Sequence, residues 1–520
     1  MSMSKWAAAA VAALAISADA AEVKLTSTAT GFVVAGELIR FDGQDYVIRS
    51  SIGQLTVDGY SVSCDGPGCP KTSIFQSSFG VIGSNTIGSA LMPGLIESYS
   101  DTQNVSVERV IGADATQLIM RLKSQAGDEL AEIDLRASGS AAAFPSLISG
   151  EATIGMSSRP VTQAEFAALE SAGIKEITRA GTEHVLALDG LIVVVSQTNP
   201  ISKLSVDDLV SVFSGEITNW ADLGGPNAPI NVYVREPGSG SYETFVEDVL
   251  APAGVGVSPE AVIVSSARRL SDTVAADPFA IGVTGVAFER NARALAVETS
   301  CGLVVEPSEF NVKTEEYPLG RRLYLYTTGA PLPNEAKGLL EYSLSDDAQD
   351  LIAEMGFVDQ SISAISLNMQ GRRIAEAFIA PRDPEALRVM RELALELLDA
   401  SRLSVTMRFR PNSSVLDVKS RDDLGRLARY VSSGELAGKE IALIGFADDS
   451  ERFEANIALS EQRARQIQAE LNAELDRLGG AAGVDLIALG YGDLAPVGCG
   501  DQELGGVSNR RVEVWVRDPV

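Results

Sequence analysis

Residues 188–196, Leu188-Asp189-Gly190-Leu191-Ile192-Val193-Val194-Val195-Ser196, carry the reading that decides the fold. The aliphatic run is unbroken and rich in β-branched residues, with no polar alternation. That pattern suits a strand buried on both faces, as in a parallel sheet flanked by helices. Its surroundings agree. Glu132 to Arg136 reads as a strand leading into Ser138-Gly139-Ser140, and Gly83 to Tyr99 as a Gly-rich turn running into an amphipathic helix. Val206 to Phe213 and Ser241 to Leu250 have helical periodicity. Strand–helix alternation over residues 71–365 predicts an α/β domain with helices on both faces of a sheet, long enough for two lobes.

Outward from this domain the pattern changes. Residues 22–70 place Leu38, Phe41, Tyr46, Ile48, Leu55, Val57 and Val62 roughly by twos, punctuated by Asp42-Gly43 and Asp58-Gly59. They predict a small antiparallel β unit, barrel-like, with no visible chemistry. Cys64 and Cys69 bracket Asp-Gly-Pro-Gly, a turn that brings them together as a disulfide. Cys301 and Cys499 are far apart in sequence and either join two domains or stay free. Residues 366–403 predict a helical connector, Arg372 to Ile379 and Pro384 to Leu398 with a break at Pro381-Arg382-Asp383, acting as a spacer. Residues 404–520 form a last α/β unit with strands at Ile441–Ile444, Leu486–Gly490 and Val512–Val516 and a long helix at Leu459–Leu478. The fold class is therefore multidomain and mainly α/β.

Residues 1–20 read as a signal peptide. Lys5 supplies the positive region, Trp6 to Ile16 the apolar region, and Ala18-Asp19-Ala20 the small-residue cleavage pattern. No later stretch is long and apolar enough to span a bilayer. Among the 520 residues, 42 Lys and Arg stand against 70 Asp and Glu, a formal charge of −28, which repels nucleic acid and anionic lipid. A single histidine, His184, excludes a multi-His metal site and reads as a strand-edge residue.

Three loops of the large domain share one design: small residues and backbone N–H groups at a helix N-terminus, where partial positive charge attracts oxyanions. They are Gly83-Ser84-Asn85-Thr86-Ile87-Gly88, Ser138-Gly139-Ser140 and Arg235-Glu236-Pro237-Gly238-Ser239-Gly240-Ser241. Arg235 adds a planar cation suited to a tetrahedral oxyanion.

On these loops, and on GEATIGMSSRP at 150–160, FSGEITNWADL at 213–223 and YPLGRRLYLYT at 317–327, residues 80–360 resemble the periplasmic phosphate-binding proteins that serve phosphate ABC importers. The resemblance implies two lobes closing on phosphate, hinged through strands that cross between them. It implies donors at Ser84, Asn85 and Thr86, at Ser138, Gly139 and Ser140, and at Ser157 and Ser158, with Arg235, Ser239, Gly240 and Ser241 as the charged wall. Ser158 stands where well-known members carry an Asp that accepts the proton of hydrogen phosphate. A hydroxyl discriminates less sharply between phosphate and sulfate.

In the last unit, Ile444-Gly445-Phe446-Ala447-Asp448 ends a strand and Asn456 to Ala464 (NIALSEQRA) follows on a helix. Asp448 and Arg463 suit either a ligand bearing amine and carboxylate groups or an internal salt bridge. With Gly490-Tyr491-Gly492 and NRRVEV at 509–514, residues 404–517 resemble the OmpA C-terminal family, which binds peptidoglycan non-covalently. The resemblance implies that Asp448 and Arg463, with Asn456 in the same helix motif, hold the diaminopimelate of the stem peptide. Phe446-Ala447 replaces the family's usual His-Thr.

The sequence thus predicts an exported, non-enzymatic solute-binding protein without catalytic residues, metal or cofactor. Its expected partners are phosphate or a similar oxyanion, peptidoglycan and an ABC importer, with no nucleic acid and no membrane span. Its expected place is the periplasm, on the cell wall near the outer membrane. The alternative is an envelope structural or sensing protein that recognises another anion without transport. An esterase-like role for Ser239 or Ser241 has no imidazole linked to it.

Overall fold

The computed structural model describes residues 22–27, 31–41, 45–58, 62–66, 68–69, 77–113, 116–379, 384–410, 413–448, 452–480, 483–499 and 508–519. The stretch read as a signal peptide at 1–20, the expected Asp42-Gly43 turn, Gly59 and the expected break at 381–383 lie outside them.

The N-terminal unit is a five-stranded antiparallel sheet in the order Gly53–Asp58, Asp45–Ser50, Val33–Phe41, Glu22–Ser27, Val62–Asp65. Alternation in Glu22–Ser27 turns Val23 and Leu25 inward onto Tyr46 and Ile48. Cys64 and Cys69 are disulfide-bonded. Among the described residues the first and last strands of this order do not pair. The sheet is open, where the strand spacing suggested a barrel.

The second unit is built on an eleven-stranded sheet. At its centre Glu183–Val195 and Gly320–Tyr326 pair antiparallel. On one side Gly320–Tyr326 pairs with Ile154–Ser157, followed by Ser77–Gly83 and Glu129–Ala137. On the other, Glu183–Val195 pairs with Ala280–Gly285, followed by Asn231–Arg235 and Val262–Val264. The run at 188–196 is buried as its sequence requires, but it is antiparallel to both neighbours. Its burial comes from the cores of two lobes that it links. Val185 joins Phe144, Leu147 and Tyr326 in the first lobe. Leu191, Val193 and Val195 face Phe213, Trp220 and Phe245 in the second, while Ile192 and Val194 face Leu270 and Val274 on the opposite side of the sheet.

A five-stranded sheet closes the chain, in the order Ala364–Ser366, Ser401–Arg408, Arg511–Arg517, Glu440–Gly445, Asp485–Gly490. Both its faces are apolar. Ile441, Leu443, Val512 and Val514 face the helices Val418–Ser432 and Phe453–Arg477. Ala442, Ile444 and Trp515 point the other way. A sheet with two apolar faces needs a second covering layer. Helices Gly371–Ile379 and Pro384–Glu396 supply it, burying Ala377, Val389, Met390 and Leu393. The segment expected as a spacer is thus one layer of this domain, held by burial worth about 1.5–3 kcal/mol per large aliphatic side chain.

The C-terminal domain is seated on the lobes. Cys499 is disulfide-bonded to Cys301 of the second lobe. Arg402 donates to Glu316 at 2.5 Å and Arg408 to Glu315 at 2.9 Å. Arg322, on the crossing strand, donates to Asp417 at 2.8 Å. Arg410 reaches the carbonyl of Thr178 at 2.6 Å, and Arg429 pairs with Asp346.

Candidate functional site

Strand Ser77–Gly83 delivers the first loop. Gly83 has φ +143°, and a Cβ there would lie 2.0 Å from the Met156 carbonyl oxygen, so the backbone can pass only as glycine. The Gly83 carbonyl accepts from the N–H groups of Ser138 and Gly139, both at 2.9 Å. Asn85 Oδ1 also accepts from the Gly139 N–H, at 3.1 Å. The first two loops are therefore bonded to each other, and these groups are not free for a ligand.

Behind them the serines satisfy one another. Ser140 Oγ lies 2.9 Å from Ser158 Oγ and accepts from the Ser158 N–H at 3.0 Å. Ser157 Oγ donates to the Arg159 carbonyl at 2.7 Å. Ser84 is fully buried, and its hydroxyl meets no partner among the described residues. Arg159 is engaged by both oxygens of Glu165, each at 2.8 Å.

The third loop leaves strand Asn231–Arg235 and enters helix Gly240–Phe245, where Ser239 Oγ accepts from the Tyr242 N–H at 3.4 Å. Gly240 lies against Thr86: a Cβ on it would sit 3.0 Å from the Thr86 Cα. The first and third loops thus meet. Beside their contact opens a cleft of ≈ 590 Å³, walled by Thr86, Arg235, Ser239, Gly240 and Ser241 and also by Asp189, Arg268, Phe288, Met355 and Phe357. Of the residues singled out in the sequence, these five cleft-lining ones come together. Ser84, Ser140, Ser157 and Ser158 are not among the cleft walls.

Arg235 is mostly buried, and its Nε and Nη2 donate to the two oxygens of Glu236, at 3.2 and 2.8 Å. That bond holds the Glu236 carboxyl below its usual range. An arriving oxyanion would compete with Glu236 for the same fork. A second cation went unread in the sequence: Arg321 donates to Thr86 Oγ1 at 2.8 Å and to Asp189 at 3.4 Å. A threonine oxygen that accepts from arginine keeps its own O–H to donate elsewhere. The signal was Arg321-Arg322 within an otherwise apolar strand. Alternation sends Arg321 toward the cleft and Arg322 toward Glu315 and Asp417. His184 lies opposite Leu325, and burial lowers its pKa. Its Nε2 reaches no partner among the described residues, Ser239 and Ser241 included.

A second site lies at the end of strand Glu440–Gly445. Asp448 accepts from Arg510 at 2.7 Å, and among the described residues this is its close ion pair, while it acts on Arg463 from farther off. Arg463 stacks its guanidinium 5.6 Å from the Phe409 ring centroid, and its Nη1 is buried without a hydrogen-bond partner among the described residues. Burial pulls the Arg463 pKa down, against Asp448 and with Arg510. The site holds two arginines and one aspartate, and Arg463 Nη1 is the donor left unpartnered among the described residues. Asn456 is fully buried at the start of the same helix as Arg463.

Among known proteins, the phosphate-binding protein PstS of Bacillus subtilis is 27% identical over 245 residues, covering 47% of this chain and 76% of its own. PstS of Borreliella burgdorferi is 25% identical over 228 residues, covering 43% and 77%. A solved ABC-type phosphate transport receptor from Vibrio cholerae aligns with 54% of this chain and 99% of its own at 22% identity, with a TM-score of 0.40. Residues 408–497 match the OmpA family. Residues 83–347, just over half the chain, match the PBP superfamily domain. The chain belongs to the PBP superfamily and joins its two-lobed domain to a C-terminal OmpA family domain.

Proposed function

We propose that the chain is an exported, non-enzymatic receptor. It captures phosphate or a similar oxyanion between its lobes and is held non-covalently to peptidoglycan by its C-terminal domain. Its place is the periplasm near the outer membrane, and an ABC importer is the partner that takes the ligand on. The observation that carries the capture reading is the meeting of Thr86 with Gly240 beside Arg235. A hydroxyl, a helix N-terminus and a guanidinium converge there from two loops. The relatives named for phosphate binding support the same ligand. Arg463 Nη1, unpartnered among the described residues, near Asp448 supports recognition of a group bearing both carboxylate and amine.

A second reading has its own support. The C-terminal domain is bonded to both lobes and to the crossing strand, so lobe movement reaches the anchor directly. That suits a sensor as well as a carrier. The test of capture is titration calorimetry of phosphate, and separately of sulfate, into the full chain stripped of anion. Binding weakened about tenfold or more in Arg235→Ala is expected, from the 1.5–3 kcal/mol of a charged hydrogen bond. No heat with either anion overturns the reading.

A further inference from the structure

The cleft is much larger than a tetrahedral oxyanion. Its ≈ 590 Å³ falls in the range of about 300–1,000 Å³ that encloses organic ligands. At one end of this space Gly240 already rests on Thr86. Part of the lining is apolar: Phe288, Met355 and Phe357, each only partly buried. Phe288 is held in place by Gly356, where a Cβ would strike its ring at 2.4 Å. Arg268, exposed at the same wall, sits 5.9 Å from the Phe288 ring centroid. An inorganic anion at Thr86 and Arg235 would leave this wall facing water.

We propose that the ligand is a phosphate monoester of a small organic alcohol. Its phosphoryl group sits at Thr86 and Arg235, and its organic part lies along Phe288 and Met355 beside Arg268. The proposal rests on the oxyanion reading above and narrows it.

The test is calorimetry on the anion-free full chain with four probes: inorganic phosphate, sulfate, glycerol 3-phosphate and phenyl phosphate. At least one ester is expected to bind tenfold or more tighter than inorganic phosphate. Phe288→Ala should erase that advantage and leave inorganic phosphate within about twofold. Arg268→Ala, at an exposed position that does not threaten folding, should weaken the ester at least threefold and leave inorganic phosphate unchanged. Esters binding no tighter than inorganic phosphate, or an advantage untouched by both variants, overturn the proposal while capture of phosphate stands. Silence with all four probes overturns capture itself.

Discussion

Arg402 and Glu316 face each other across the junction of the C-terminal sheet and the second lobe, with 0% and 4% of their side-chain surfaces exposed. Arg402 also approaches Glu513, which is ion-paired with Arg373 and Arg511. Burial raises both carboxyls, and these cations outweigh it and hold both below the usual range. Removing one partner of such a group leaves an uncompensated buried charge, which costs about 3–5 kcal/mol. Arg402→Met is expected to lower stability by that amount in denaturant unfolding. Arg402→Met with Glu316→Leu should regain a large part of it, because the stranded carboxylate is gone.

The Cys301–Cys499 bond closes a loop of 198 residues between two domains. A non-reducing peptide map should show the two cysteines in one linked peptide pair. Cys301→Ser is expected to cost about 2–5 kcal/mol. Two separate peptides, each with an alkylated thiol, would contradict the linkage.

Glu236 is the internal competitor for Arg235. Glu236→Gln keeps the shape and removes the charge. Oxyanion affinity by calorimetry is expected to rise about tenfold, equivalent to about 1.4 kcal/mol. A fall in affinity would mean that Glu236 positions the guanidinium rather than occupying it.

Burial raises the Glu183 pKa from its usual 4.5 to about 7, although it accepts a hydrogen bond from Tyr326 and lies near Arg322 and Arg410. Between those two pH values the folded chain keeps a proton that the unfolded chain has released. The contribution of Glu183 to stability therefore declines as pH rises through this window, by about 3 kcal/mol at most. Glu183→Gln should match the parent in stability near pH 4.5 and exceed it at pH 8. Equal stability at both pH values would count against a buried, protonated Glu183.

At the site proposed to bind peptidoglycan, Asp448→Ala and Arg463→Ala should each lower co-sedimentation with peptidoglycan at least tenfold. Arg465→Ala, exposed on the same helix and paired with Glu461, should not. Equal sedimentation of all three variants would remove Asp448 and Arg463 from the contact.

The strands and helices of the binding domain were legible because hydrophobic pattern reports burial directly. Strand direction was not: Ile192 and Val194 are buried whether their neighbours run parallel or antiparallel, so the run at 188–196 suggested the wrong partner geometry. The cleft residues Thr86 and Arg235 were legible from loop chemistry. Arg321 was not, since it reaches Thr86 from a strand more than two hundred residues away, a relation that only the crossing strands create. Likewise Arg510 takes Asp448 through tertiary approach, while sequence spacing suggested Arg463. The helices at 371–379 and 384–396 show their charges outward, but their inner faces have no visible partner until the sheet's second apolar face is known.

Those helices, with the disulfide and the buried ion pairs, leave no slack between anchor and cleft. Whatever grips the C-terminal site inherits the pose of the binding lobes. A copy fastened there cannot swivel like a bucket on a rope. If the C-terminal site holds the wall as proposed, each copy would present its cleft in one pose relative to that grip, and copies gripped alike would form an oriented array.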